Sequence, residues 1–340
     1  MLKVGITGIG FMGWIHYLAW KRIPDAKVVA ICDTIPERLK GDWRKIKGNF
    51  GPQGEIVDLT GIAAYDKYED LLADSNVDAL DICLPPCAHS KAVIAGLQAG
   101  KNVFCEKPVA LKVPDGNAMI QTAKETGKIL CIGHVLPFFP AYRFIFDAKN
   151  SGKYGKLIGG DFRRIISDPV WLTNFYNMET SGGPMLDLHI HDAHFIRLLF
   201  GMPTRVSAVG RCRGEVPEYF STQFSFADPS LTVTAASGCI MQQGRPFFAG
   251  YEVQFEKATV LFDTWSGKPL TVLNEDGSVE TPEIPNVDDV GNFAFELTEV
   301  RDSFANNRNS SILDGSLAAD ALAICHKEIE SILSGKPAAI

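Results

Sequence analysis

Apolar and polar positions follow two different periods along this chain. Through the first 133 residues, short apolar runs alternate with stretches whose apolar side chains recur every three or four positions. The runs Val4–Thr7, Val28–Cys32, Ala79–Cys83, Asn102–Cys105 and Ile129–Gly133 predict strands, and a shorter piece near Ile62–Tyr65 adds another. Helical spacing falls between them at Lys67–Ala73, His89–Ala99 and Val113–Thr126. Gly100 and Gly127 follow two of these helices where a C-terminal glycine cap belongs. Such alternation is the signature of a parallel sheet flanked by helices. Gly41–Gly61 keeps neither period and reads as a helix remnant with a polar loop.

A helix-like stretch at Leu136–Asn150 leads into a different pattern. Lys156–Ser167 alternates as a strand, Asp168–Pro184 reads as a long loop, and Met185–Phe200 as a helix stopped by Gly201. Strands are then expected at Arg205–Arg213, Phe220–Phe226, Leu231–Ile240, Tyr251–Glu256, Ala258–Phe262 and Leu270–Leu273. Their alternation suits antiparallel strands with one open face. Helices at Val290–Asn306 and Leu313–Ser334 close the pattern.

The first strand meets Gly8, Gly10 and Gly13 in the spacing G-x-G-x-x-G, and a helix follows. The first glycine permits a tight turn, the second lets a pyrophosphate approach the backbone, and the third lets helix and strand pack closely. The helix N-terminus offers free N–H groups to phosphate. Asp33 ends the second strand, twenty residues after Gly13, where a carboxylate holds the adenosine ribose hydroxyls. Domains are therefore expected at 1–134, a dinucleotide-binding Rossmann fold, and at 135–340, an α+β substrate and oligomerisation domain. The last helix is allowed to pack back on the first domain.

Composition narrows the class. A net charge of −7 without a dense Lys/Arg block argues against nucleic acid. No run of 18 apolar residues suggests a membrane span, and no signal-peptide core precedes the first strand. The eight cysteines form no C-x-x-C pair, which fits reduced thiols and a cytoplasmic location.

In open parallel sheets the ligand sits beyond the carboxyl ends of the strands. There lie Gly8–Gly13, Asp33, Leu84–His89, Glu106–Pro108 and His134. His89 reads either as a packing residue or as a cofactor contact. Lys107 reads either as an exposed surface lysine or as an ammonium that donates to a substrate hydroxyl or alkoxide. In the second half Asp187 and His191 stand at i and i+4, with His194 continuing the face at i+7. An acid and an imidazole on one helix suit proton transfer. A zinc site in D-L-H-I-H-D-A-H is set aside, because His189 points off that face and no H-E-x-x-H pattern supports it.

The motifs G-I-G-F-M-G (8–13), Cys32-Asp33, L-P-P-C-A-H (84–89), A-G-K-N-V-F-C-E-K-P (99–108) and S-G-G-P-M-L-D-L-H-I-H-D (181–192) resemble the glucose–fructose oxidoreductase, inositol dehydrogenase and MocA-like oxidoreductase family. The resemblance implies an α/β chain, with an NAD(P)-binding domain followed by a domain built on a large, open, mainly antiparallel sheet. It implies hydride transfer at a hydroxyl carbon of a sugar, inositol or related polyol, with catalysis by Lys107, Asp187 and His191. Cofactor contacts are expected at Gly8, Gly10, Phe11, Met12, Gly13, Asp33, Leu84, Pro85, His89, Glu106 and Lys107. Substrate contacts are expected at His134, Trp171, Tyr176, Asp187 and His191. NAD is expected over NADP, because Asp33 repels a 2′-phosphate and no arginine follows it directly. A homodimer or homotetramer through the open sheet face is expected as well. Many family members carry an arginine near position 137, where this chain has proline. That substitution keeps two alternatives in view, a non-catalytic NAD-sensing regulator and a glycoside hydrolase that recycles hydride internally.

Overall fold

The computed structural model describes residues 1–170, 172 and 174–340. The chain divides into two compact units, Met1–Phe138 with Val287–Ala318, and Phe139–Asn286 with Ala319–Ile340.

The first unit runs β1 (Leu2–Thr7), α1 (Phe11–Trp20), β2 (Ala26–Cys32), α2 (Pro36–Leu39), β3 (Ala63–Tyr65), α3 (Tyr68–Ala73), β4 (Ala79–Ile82), α4 (His89–Gln98), β5 (Asn102–Glu106), α5 (Val113–Thr126) and β6 (Leu130–Gly133). Among the described residues these strands form one sheet in the order β3-β2-β1-β4-β5-β6. Every pairing in it is parallel. Val4, Ile6, Ile31, Leu80, Ile82, Val103 and Phe104 are buried, as strands covered on both faces require. Strand order reverses between β1 and β4, so the chain leaves both strands at the same crevice. Gly127 takes a left-handed conformation (φ +65°) just past α5, in the expected cap position.

The stretch 41–61 is less polar than expected. Trp43 is fully buried, its indole donates to the Arg38 carbonyl, and its ring meets Trp14 and Tyr17 edge-on. An aromatic cluster, not a regular element, orders this loop.

The second unit begins with α6 (Pro140–Ser151) and β7 (Leu157–Ser167). A π-turn (Met185–His189) then enters α7 (Ile190–Phe200). The strands β8 (Arg205–Arg213), β9 (Val216–Ser225), β10 (Thr232–Ile240), β11 (Phe248–Phe255), β12 (Ala258–Asp263), β13 (Thr271–Asn274) and β14 (Val279–Glu280) follow. The chain closes with α8 (Asp289–Ala305), α9 (Gly315–Ser334) and β15 (Ala338–Ala339). Among the described residues the second sheet has the order β14-β13-β12-β11-β7-β10-β9-β8-β15. It is antiparallel except where β7 and β10 run parallel. Phe162, Phe220, Phe224, Val233, Tyr251, Val253 and Val260 fill one face. The Tyr251 hydroxyl donates to the Ala141 carbonyl of α6, and Ser331 of α9 accepts from the Ala208 amide. The opposite face exposes Asp161, Arg163, Ser221, Gln223 and Glu252, with Val209 and Leu273 among them.

Helix α8 belongs to the first unit. Its N-cap Asp288 accepts from the Gly291 amide and takes both terminal nitrogens of Arg22 at 2.6 and 2.8 Å. Its Phe293 stacks on Phe50.

The helix expected over Met185–Phe200 differs in one respect. Its first turn is a π-turn, which carries one more residue per hydrogen-bonded loop than an α-turn. Leu186, Leu188 and His189 go inward there, while Asp187 stays half-buried.

Candidate functional site

In the first unit, β1 ends at the glycine turn. Gly8 has φ +85°, and a Cβ there would stand 2.7 Å from the Cys83 carbonyl oxygen behind β4. A Cβ on Gly13 would stand 2.2 Å from the Gly8 carbonyl oxygen. The two glycines thus let β1, α1 and β4 converge. Gly10 differs, since a Cβ there would meet nothing within 4 Å. It opens α1 without a side-chain cap. The free amides and positive end of this helix therefore face open space, the arrangement a pyrophosphate fills. Phe11 and Met12 are half-buried on the first turn, and Phe11 meets Phe50 edge-on at 4.7 Å.

Asp33 lies at the end of β2, nearly buried, with its carboxylate turned to the glycine turn. Oδ2 accepts from the Ile9 amide at 2.7 Å and from Arg38 at 3.0 Å, and Oδ1 accepts from the Ile35 amide at 2.8 Å. Arg38, five residues on, was discounted in the sequence because it does not follow Asp33 directly, yet the turn into α2 brings the two together. The open Gly10 cradle, the uncapped helix end and a carboxylate fixed beside them fit an NAD-type dinucleotide.

Leu84 and Pro85 follow β4 at the surface of the same crevice. His89 is fully buried, with Nδ1 and Nε2 each 2.8 Å from a backbone carbonyl, of Pro108 and Leu84. Burial holds its pKa below the ordinary imidazole value. His89 braces the loops after β4 and β5 against each other, a packing role that leaves its ring committed. His134, behind β6, is likewise buried.

Lys107 is half-buried beside Glu106. Glu106 Oε2 accepts from the Lys107 amide at 3.1 Å, and Oε1 lies 3.1 Å from His16 Nε2. His16 Nδ1 is 3.0 Å from Asp81 Oδ1, and Trp20 donates its indole N–H to Asp81 Oδ2 at 2.7 Å. Cys83 Sγ lies 3.2 Å from His16 Nδ1. Burial disfavours the His16 imidazolium, yet Asp81 outweighs it and holds the pKa well above the ordinary value. A buried ring hydrogen-bonded to Asp81 and lying against Glu106 therefore ties α1, β4 and β5 together under the Lys107 turn. This chain was missed in the sequence, although a histidine inside W-I-H-Y-L-A-W and an aspartate inside A-L-D-I-C were visible signals of buried polar partners.

In the second unit, Asp187 and His191 are half-buried while their neighbours Leu188, His189, Ile190, Asp192 and His194 are buried. The expected face at i, i+4 and i+7 is thus interrupted, because His194 turns fully inside. Two buried anchors flank His191. Asp192 binds Arg164 of β7 through both oxygens, at 2.7 and 3.1 Å. His189 binds Ser237 and Glu328. Tyr176 donates its hydroxyl to Asp168 at 2.8 Å, and the Arg213 guanidinium covers its ring at 3.8 Å. Trp171, the remaining substrate candidate, lies outside the described residues.

The first unit is a dinucleotide-binding Rossmann domain, and the second presents an acid and an imidazole on one helix entry. The cradle of the first unit defines a protein of the dinucleotide-binding class. The family model described as oxidoreductase family, NAD-binding Rossmann fold, matches residues 2–134, and the GFO/IDH/MocA C-terminal domain model matches residues 143–261. The chain belongs to the GFO/IDH/MocA oxidoreductase family. It is 34% identical over 201 residues to the myo-inositol 2-dehydrogenase of Thermotoga maritima, covering 59% of this chain and 55% of that enzyme. It is 28% identical over 292 residues to the scyllo-inositol 2-dehydrogenase (NAD(+)) of Bacillus subtilis, covering 82% and 78% of the two chains. A levoglucosan dehydrogenase solved in complex with NADH shares the fold, with a TM-score of 0.87, 18% identity, and coverage of 100% and 99%. The chain thus spans about half the length of the Thermotoga relative.

Glu296 on α8 supplies a pH test of this interior. It is fully buried, and neither carboxylate oxygen has a hydrogen-bond partner among the described residues. Burial, reinforced by Glu106, pushes its pKa well above the usual 4.5. A raised acid stabilises the fold below its unfolded pKa and loses that contribution as pH rises towards the folded value. Glu296→Gln should therefore flatten the alkaline side of the stability profile. Its advantage over wild type should grow from about pH 4.5 upward by as much as about 1.4 kcal/mol per pH unit, measured by urea unfolding between pH 5 and 9.

Proposed function

We propose that this chain is an NAD-dependent dehydrogenase acting on a CH–OH group of a sugar, inositol or related polyol. The observation that carries the reading is the half-buried Asp187 and His191, held on a doubly anchored helix entry, in a chain that also has the open dinucleotide cradle at Gly10. The names of the relatives, inositol dehydrogenases from Thermotoga maritima and Bacillus subtilis, support the substrate class.

When bound, NAD supplies the hydride acceptor at its nicotinamide. In our assignment His191 takes the hydroxyl proton, since an imidazole titrates near neutrality. The Lys107 ammonium donates to the oxygen as negative charge develops on it. Asp187 orients the substrate or His191. We assign dinucleotide contacts to Gly8, Gly10, Phe11, Met12, Gly13, Asp33, Leu84, Pro85, Glu106 and Lys107. His89 acts from behind, through the loops it braces. Beyond Asp187 and His191, the substrate set includes His134, Trp171 and Tyr176. Tyr176 takes part through its ring, because its hydroxyl is held by Asp168.

We further propose a cytoplasmic protein, in keeping with eight free cysteines. No helix among the described residues is long and apolar enough to cross a membrane. We propose assembly into a homodimer or homotetramer through the uncovered face of the second sheet, where Val209 and Leu273 are exposed.

Three outcomes are expected. NADH formation at 340 nm across inositols, aldoses, sugar acids and amino sugars should find a substrate. On it, Lys107→Ala and His191→Ala should each lose about 10²–10⁴ in turnover. Near-full turnover in both variants overturns the assignment. NAD binding without reduction by any candidate favours a sensing or hydride-recycling protein instead. By fluorescence titration NADH should bind more tightly than NADPH, since Asp33 repels a 2′-phosphate and already engages Arg38. The reverse order overturns the cofactor preference. Light scattering at micromolar concentration should give at least twice the 37.2 kDa chain mass, and a monomeric mass refutes the interface.

A further inference from the structure

His189 is one of the polar residues of D-L-H-I-H-D-A-H to which the proposed chemistry gives no role. It ends the π-turn, and its side chain is fully buried. Nδ1 lies 2.8 Å from Ser237 Oγ on β10. Nε2 lies 3.0 and 3.1 Å from the two oxygens of Glu328 on α9, itself fully buried. The ring stands edge-on to Phe220 of β9 at 5.2 Å. One imidazole thus joins the π-turn to two strands and a helix. We infer that His189 and Glu328, with Ser237, are positioning residues that hold the π-turn in register and so set where Asp187 and His191 stand.

Geometry supports the inference in two ways. A π-turn is rare and survives where its surroundings favour it. Here the inserted residue lets His189 reach inward while the residues two before and two after it, Asp187 and His191, stay half-buried on the other side. In addition, separating a buried carboxylate from its partner leaves an uncompensated charge, so a displaced register that parts His189 from Glu328 is disfavoured. The second anchor, Asp192 on Arg164, fixes the residue after His191. His191 is therefore held from both sides along the chain.

Several charged groups bear on His189. Glu328 of α9 faces it directly, and Asp192 of α7 and Arg164 of β7 act at longer range. Burial disfavours the imidazolium, Glu328 and Asp192 favour it, and Arg164 opposes it. The balance lies above the ordinary histidine value. Facing a carboxylate, Nε2–H donates to Glu328, and Nδ1 is held by the Ser237 hydroxyl.

This inference rests on the assignment of Asp187 and His191 to the reaction, and its test separates the two. In the full chain, Glu328→Gln, His189→Gln and the milder Ser237→Ala are compared with His191→Ala for kcat, KM and the pH profile of kcat. Glu328→Gln and His189→Gln should lower kcat by about 10- to 100-fold, as expected for a reacting group displaced by an ångström or less. KM should change little, the pH profile should shift, and Glu328→Asp should recover part of the loss. If His191→Ala is inactive while every anchor variant keeps kcat and its pH profile within about twofold, as a purely structural role would, the positioning role is wrong. If His191→Ala itself keeps turnover, the catalytic assignment fails instead. Nitrogen-15 NMR of histidine-labelled wild type gives a readout independent of variant folding. A His189 Nε2–H that is resolved and in slow exchange, as a proton held on Glu328 must be, supports the anchor, and an Nε2 without a proton or in fast exchange with water overturns it.

Discussion

Everything in the first unit depends on how closely three backbones approach at one point. Strands β1 and β4 are neighbours whose chains turn away in opposite directions, and α1 starts in the gap between them. With side chains at Gly8 and Gly13, the Cys83 and Gly8 carbonyls would be struck. Without them, the chain passes and leaves an uncapped helix end beside Asp33. The same absence of side chains that permits the turn also creates the space for a ligand. Close packing and binding are here one geometric fact.

Behind each candidate group lies a buried histidine bonded to a carboxylate. His16 joins Asp81 to Glu106, and Glu106 receives the Lys107 amide. His189 joins the π-turn to Glu328. In both cases the charged interior links several elements at once, so its value lies in geometry more than in net stability. Side chains that must stand still for chemistry gain from such supports, since rotamers locked from behind lose little on binding. The two units are unrelated in topology, and they meet the same requirement with the same pairing.

Much of this was legible in the sequence. Strands and helices of the first unit fell within a residue or two of their expected ends, because buried parallel strands leave uninterrupted apolar runs and the helices leave a clear period. The glycine spacing and Asp33 located the cradle for the same reason that it works, namely that few residue types fit there. The failures have physical causes. The π-turn at Met185–His189 leaves no mark in a periodic pattern, since one inserted residue lies within the scatter of a helix start. His194 matched the helical face of Asp187 and His191 but turned inside. The contacts of Arg38 with Asp33, and of His16, His189 and Arg164 with their carboxylates, mostly join residues far apart in the chain or depend on a turn, so a polar residue inside an apolar run signals that a partner is needed but spacing does not say which. Loop 41–61 looked polar because its ordering resides in a few aromatic rings, chiefly Trp43, and not in a repeat.

The return of residues 287–318 to the first unit has a consequence for how the protein is made. Helix α8 covers α1, placing Phe293 against His16 and Phe50, and it emerges only after strands β7 to β14 of the second sheet. At about 5–20 residues per second of synthesis, the 180 residues from 139 to 318 take roughly 10–40 s. Throughout that interval the nascent first unit carries an unfinished apolar flank on α1. The second sheet, which needs only residues 319–340 to complete it, is itself being assembled at that time. Each unit thus waits on a segment that lies beyond the other in the chain, and a ribosome paused within the β8–β14 region would hold both in a half-built state that invites chaperone capture.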